Sequence, residues 1–434
     1  MGKFNFDYSQ TMMMKIDIGV PDKKLRSKIF NKFNDVLDKV KIIDNLTYGA
    51  PKIMYLVGWQ YRGHDDKYPS FFNVNRGAVP VYGDSPHHSL IELMNEARDY
   101  NTSISLHINL SDAYENSPLW QEYCNKNLIL RDRKGNLVVT GNYNGLNAYH
   151  VRAKAEYESG NFQKRADAVI SMFQLDKQKT VHIDAFFVRK GLETNIPEEK
   201  KYRRKMIEYF IDRGVDVTTE FIYRERNSGF RSLWGKSDII GLVPAVWNLR
   251  MTQADYFRYP PTVLAGGELC MDIQADKDLQ YLFYGNAHCE ECFNKKDWTE
   301  DFIREFSLKT VPYFFLNKRR LQRISGIGKG RTAYFDAGVA TSIRDKKITQ
   351  YGNVLKEGET LCIPITWKDN TYYAFSGEGK SYTFTVPNGN AFVLELKEQG
   401  PVLLFEKKIT EGRITLDMKK NRGYIIQYAD FLSQ

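Results

Sequence analysis

The chain reads as an α/β protein, a (β/α)8 TIM barrel followed by a carboxy-terminal all-β sandwich. Apolar, strand-length runs alternate with amphipathic helix patterns over about 300 residues, the usual extent of such a barrel. No glycine-rich phosphate loop follows the first strand, which disfavours an open, doubly wound sheet. After about residue 330 the helical periodicity stops, and short strand-like runs separated by Gly, Asn and Lys turns take over. The domain limits that follow are a helical extension at 1–45, a barrel at 46–325 and a β-sandwich at 326–434.

Leu25, Ile29, Phe33, Leu37 and Val40 recur at helical spacing, which predicts an amphipathic helix ahead of the first strand. Ile53–Trp59 then reads as that strand, and Leu90, Ile91, Met94 and Ala97 mark the next helix. Ser103–Leu110 is a second strand. Lys134-Gly135-Asn136, flanked by Leu128–Arg133 and Leu137–Thr140, signals a hairpin in an insertion. A helix over 160–176 leads to the strand Thr180–Phe187, and a helix after Pro197 leads to Val215–Glu220. Ile239–Val246, Thr262–Cys270 and Val311–Leu316 are further strand candidates, with helices near 277–285 and 298–308. Ser325–Arg331 resembles a phosphate loop only superficially, lacking the Gly-Lys-Ser/Thr ending, and reads as linker.

Composition narrows the function. The net charge of +9 invites a nucleic-acid reading, but the basic residues mostly alternate with acids, as in Glu198–Lys205. No recognition motif accompanies the charge, so no nucleic-acid partner is expected. Five cysteines, an odd number without a framework spacing, read as reduced thiols. His288, Cys289 and Cys292 lack the second ligand pair that a structural zinc needs, so no metal and no cofactor are expected. No apolar run approaches the length of a membrane span, so no membrane partner is expected either. Met1–Tyr8 lacks the apolar core of a signal peptide, which implies a cytoplasmic protein, or a secreted one whose leader has been removed. Nothing in the sequence sets the oligomeric state.

Catalytic side chains of a barrel come from the carboxy-terminal ends of its strands and the loops beyond. That rule selects Asp184, inside Val-His-Ile-Asp-Ala-Phe-Phe, and Glu220, which closes Val-Asp-Val-Thr-Thr-Glu. Burying either carboxylate without a task would be costly. Their 36-residue separation is one strand–helix–strand unit, which puts them on neighbouring strands. Two carboxylates across one pocket suit glycoside hydrolysis, one as proton donor and one as nucleophile or activator of water. Neighbouring strands favour the shorter separation of about 5–5.5 Å that accompanies retention. Asp184, the more enclosed, is then the nucleophile and Glu220 the acid/base. The alternative is that each caps a helix or pairs with an arginine.

Gly58–Pro69, GWQYRGHDDKYP, follows the first strand and crowds aromatics among carboxylates. His64 and Asp65 are candidates for binding sugar hydroxyls, and Trp59 or Tyr61 for stacking on a ring face. Gln60, His107 and Asn109 on one strand face, and Trp247 complete the candidate substrate-binding set. A core tryptophan with a solvated, capping aspartate is the alternative for the loop. A satisfied interior hydrogen-bonding pair is the alternative for His107 and Asn109.

The run Val57–Pro69, together with His182-Ile183-Asp184 and Thr219-Glu220-Phe221, resembles glycoside hydrolase family 101, the endo-α-N-acetylgalactosaminidases, and the related family 129. The resemblance extends into the β-domain through Leu361–Trp367. It implies a retaining glycosidase that removes O-linked sugars from Ser or Thr of mucin-type glycans, so the expected partner is a carbohydrate or glycopeptide. Asp184 matches the family nucleophile, Glu220 the acid/base and Asp65 a sugar-binding carboxylate. Family members are usually much larger, so endo and exo action both stay open, as do an α-galactosidase and a non-catalytic carbohydrate-binding barrel. In an α-linked N-acetylgalactosaminide the acetamido group and the leaving oxygen are cis. The acetamido oxygen cannot reach the back of the anomeric carbon, so the enzyme must supply its own carboxylate.

Overall fold

Met12–Asp17 (β1) is the first strand of a parallel sheet, ahead of Lys52–Val57 (β2), Thr102–Asn109 (β3), Thr180–Asp184 (β4), Asp216–Thr219 (β5) and Ala287–His288 (β6). The computed structural model describes residues 4–24, 26–81, 83–184, 186, 195–219, 243–244, 280–288, 290–319 and 321–428. Residues 1–45, expected as a helical extension, therefore also contribute a strand of this sheet. β1 pairs in parallel with β2 on one side and β6 on the other. Its Met-Met-Met-Lys-Ile-Asp sequence is short and unpunctuated by turn residues, so periodicity alone does not mark it as a strand.

The sheet order is β6-β1-β2-β3-β4-β5, with Val243–Pro244 antiparallel at the far edge. From β1 to β5 consecutive strands are neighbours, and β6, the last of the described parallel strands, lies beside β1. The helices Phe33–Thr47 (α1), Pro86–Glu96 (α2), Asn161–Met172 (α3) and Ile196–Ile211 (α4) separate the strands. All six residues of β2 are buried, as a strand covered on both faces requires. The later helix signals fall close to the observed elements, but the first, read from residue 22, begins only at Phe33, and Ile29 belongs to the strand Ser27–Ile29, paired with Gly19–Pro21. Asn195 caps α4 by accepting from the Glu198 amide, with Pro197 in the first turn.

Two further expectations fail locally. Val311–Leu316, read as a strand, is the helix Val311–Asn317, with Pro312 in its first turn. A short, wholly apolar run does not distinguish a buried strand from a buried helix. In the insertion, residues 132–136 do turn, but the longer ladder is Val139–Tyr143 against Leu146–His150. Its turn is Asn144-Gly145, both at positive φ, a strong hairpin signal.

From Leu321 to Tyr428 the chain forms a ten-stranded antiparallel sheet and a two-stranded ribbon, Ser381–Thr385 with Arg413–Asp417. Ile414 and Leu416 of the ribbon pack on Ala374, Val393 and Ile426 of the large sheet, giving two layers of unequal size. Ser325–Arg331 is the turn of a hairpin within this region. Leu361, Ile363 and Phe375 join the same core as Val36 and Val40 of α1, so the β-rich region is seated on the parallel-sheet region. The Tyr373 hydroxyl and Ser307 hydroxyl lie 2.7 Å apart across that junction. Among the described residues no helix is long and apolar enough to cross a membrane. Cys124, Cys292 and Cys362 are free thiols.

Candidate active site

Strand register stacks polar side chains in layers over one face of the sheet. His107 of β3 pairs with His182 of β4, which pairs with Thr218 of β5. His182 Nδ1 and Thr218 Oγ1 are 2.9 Å apart, and the His107 and His182 rings are 5.0 Å apart. A layer towards the amino ends of the strands holds Tyr55 and Thr180, 2.7 Å apart, and Asp216, which accepts from the Tyr8 hydroxyl at 3.0 Å. Burial raises the Asp216 carboxyl above its ordinary range. Here the structural explanation of a buried acid applies, at the end of the strands opposite Asp184.

The layer at the carboxy ends pairs Asn109 with Asp184. Asn109 Nδ2 donates to Asp184 Oδ2 at 3.2 Å and to Asp112 Oδ2 at 2.9 Å. The other Asp184 oxygen lies 3.9 Å from His107 Nε2, and the carboxylate keeps 14% of its surface exposed. The described register of β4 and β5 ends at the pair Ile183 and Thr219. Glu220 and Trp247 lie outside the described residues.

The loop after β2 answers why glycines, aromatics and acids are packed together. Gly58 and Gly63, both at positive φ, press on the backbone of Gly19, whose carbonyl would lie 2.0 and 2.2 Å from any Cβ placed there. The same carbonyl accepts from the His64 amide at 2.8 Å. Only glycine fits such a crossing. The two acids divide the work. Asp66 is fully buried, accepts from the Arg62 guanidinium at 2.5 Å and from Asn116 at 2.9 Å, and serves the loop itself. Asp65 stays partly open and accepts from the Tyr114 hydroxyl at 3.1 Å.

Trp59 and Gln60, expected as sugar contacts, are fully buried. The Trp59 ring packs against Phe71 and Phe173, and its Nε1 donates to the His107 carbonyl at 2.9 Å. A large apolar ring next to a fully buried strand gains more from the core than from water. Gln60 Nε2 donates to the Gly63 carbonyl and the Tyr68 hydroxyl, so it too braces the loop. Tyr61 hydrogen-bonds Ser70 and lies under the Lys67 ammonium.

His64 joins the cluster. Its ring is 5.2 Å from that of His107, Nδ1 is 3.2 Å from the Tyr68 hydroxyl, and Nε2 is 3.5 Å from Asp65 Oδ2. Tyr68 and Tyr114 were missed by the sequence reading. Burial, and then the charge of Asp65, pushes both phenols well above their ordinary pKa, so they act as neutral donors at physiological pH. Tyr114 lies just past β3, where the strand-end rule that selected Asp184 would also have found it. The turn Asn144-Gly145 leans over the loop, with Asn144 Nδ2 donating to the His64 carbonyl at 3.1 Å.

Donor atoms of His64, His107 and Asp184 all lie within 4.8 Å of one another, close enough to share one ion.

The fold and the cluster define an α/β protein with an acid- and histidine-lined site at the carboxy ends of its parallel strands, where enzymes of this architecture carry theirs. The chain belongs to the glycoside hydrolase 101 family, described as endo-alpha-N-acetylgalactosaminidase, whose sequence model matches residues 8–243, more than half of it. Among solved structures it is similar to the alpha-N-acetylgalactosaminidase NagBb from Bifidobacterium bifidum. The quadruple mutant matches with a TM-score of 0.52 at 14% identity, over 79% of this chain and 58% of that one. The ligand-free form matches with a TM-score of 0.51 at 15% identity, over 79% and 57%. The chain thus spans under two thirds of the length of NagBb, and the likeness shows the fold. No curated protein matches the sequence.

Proposed function

We propose that the protein is a retaining α-glycosidase that hydrolyses α-linked N-acetylgalactosamine of mucin-type O-glycans or glycopeptides, on a closed (β/α)8 barrel. Closure is supported by β6 lying beside β1 and by a strand order that never reverses. The observation that carries the activity is Asp184, mostly enclosed at the end of β4 and held by Asn109, in a chain of this family.

Asp184 attacks the anomeric carbon while Glu220 protonates the leaving oxygen. Glu220 then takes a proton from the water that releases the sugar. The register supports this pairing, since Ile183 and Thr219 are partners one residue before each acid. Asp65 and His64 bind hydroxyls of the sugar, His107 flanks the nucleophile, and Trp247 and Tyr61 belong to the sugar-binding set. The mechanism uses no cofactor. An α-galactosidase, an exo-acting enzyme and a non-catalytic carbohydrate-binding barrel are the alternatives.

Incubation with GalNAc-α-aryl, Gal-β1,3-GalNAc-α-aryl and Gal-α-aryl substrates, with products followed by NMR, tests the proposal. Release of a GalNAc-containing sugar first as its α anomer is expected, and the two GalNAc substrates separate exo from endo action. First appearance of the β anomer contradicts retention, and saturable binding without hydrolysis contradicts an enzyme.

A further inference from the structure

Asn109 is the best-determined side chain at the site. Its Oδ1 accepts from the Ser111 amide at 2.7 Å and the Asp112 amide at 2.9 Å. Its two N–H groups go to Asp112 Oδ2 and Asp184 Oδ2. A primary amide has two donors and two acceptor sites, and all four are used. The amide orientation is therefore forced, because the oxygen must face the two backbone N–H groups. The side chain is 1% exposed. Its strand end is fixed from three sides: Trp59 donates to the His107 carbonyl, Arg165 to the Asn109 carbonyl and Arg203 to the Ser111 hydroxyl.

This leaves Asn109 nothing to offer a sugar hydroxyl, although its strand face suggested that role. We propose instead that Asn109 is a positioning residue for the nucleophile, an inference that rests on the assignment of Asp184 above. Donation to Oδ2 orients the carboxylate so that Oδ1, on the His107 side, is the attacking atom. During attack Oδ1 forms the bond to the anomeric carbon as the glycosidic bond breaks. Oδ2 becomes the carbonyl oxygen of the glycosyl ester and keeps its hydrogen bond. When water displaces the sugar, the electron pair returns to the carboxylate in the same orientation.

Asn109→Asp separates this role from a structural one. An aspartate retains the acceptor oxygen for the Ser111 and Asp112 amides, so the turn should be kept, while the added acid beside Asp112 and Asp184 lowers the thermal midpoint. Ionised, it cannot donate to Asp184; protonated, it has one O–H where the amide has two N–H groups; in both forms it adds a third acid. The expected result is kcat lowered by roughly 10- to 100-fold, KM for an aryl GalNAc within about threefold, and the acidic limb of the kcat/KM profile moved to higher pH. Asn109→Ala should lose both the turn and the rate, so the comparison isolates donation. An Asn109→Asp enzyme with wild-type kcat and an unmoved acidic limb overturns the inference, as does a raised KM at unchanged kcat, which would make Asn109 a sugar ligand. The underlying assignment is checked on the wild type with a fluorosugar inactivator. A label on a residue other than Asp184 would defeat both readings, whereas a label on Asp184 with a neutral Asn109→Asp variant defeats this one alone.

Discussion

The Tyr114 hydroxyl donates to Asp65 Oδ1 at 3.1 Å, joining the segment that follows β3 to the loop that follows β2. Neither residue is near the other in sequence, and the bond sets the direction of the one loop acid that stays open to solvent. Burial and the charge of Asp65 keep Tyr114 protonated, so the bond persists through neutral pH. Tyr114→Phe should lower kcat/KM by roughly tenfold, the value of a hydrogen bond to a charged group. Asp65→Asn should cost more and appear mainly in KM. Steady-state kinetics on an aryl GalNAc measures both, and a larger loss for Tyr114→Phe than for Asp65→Asn would contradict the arrangement.

Trp59 is packed rather than presented. Trp59→Ala should destabilise the protein by about 3–5 kcal/mol, as for other large buried rings. Trp59→Phe should recover much of that stability and leave KM within a factor of about two, since a ring in the core touches no sugar. Chemical denaturation and kinetics on the two variants decide the matter. A KM that rises with Trp59→Phe at unchanged stability would return the residue to the sugar-binding set.

Glu305 carries a pH signature. Burial alone would raise its carboxyl, but His288, 3.4 Å away, and Lys309 outweigh it and bring the pKa from 4.5 to about 2. A folded-state pKa below the unfolded one contributes stability that is full above about pH 4.5 and disappears as the pH falls towards 2. The contribution is roughly 2–3 kcal/mol, allowing for partial exposure. Glu305→Gln should remove it, flattening the stability profile in that window. Thermal melts from pH 2 to 6 test this, and a variant with the wild-type slope would contradict it.

Much of this architecture was legible because alternation of buried strands with amphipathic helices is strongly periodic. The place of Asp184 at the carboxy end of β4 was legible because the residue closes a short apolar strand run. What escaped has identifiable physical causes. β1 carries no turn signal, and its place in the sheet comes from non-local pairing with β2 and β6. The roles of Gly58 and Gly63 depend on Gly19, about 40 residues earlier, which no local pattern connects to them. Asp65 and Asp66 are adjacent in sequence yet face different partners, a distinction made by the positive φ of Asp65. The exchange of Trp59 and Gln60 for Tyr114 and Tyr68 around the site is likewise set by which side of the loop meets the core.

Peptide mapping by mass spectrometry after inactivation with an activated fluorinated GalNAc tests the central claim most directly. The account predicts one sugar per chain, bound as an ester to the peptide containing Asp184, and no label in Asp184→Asn. A stable label at another carboxylate, or full turnover by Asp184→Asn, would contradict it.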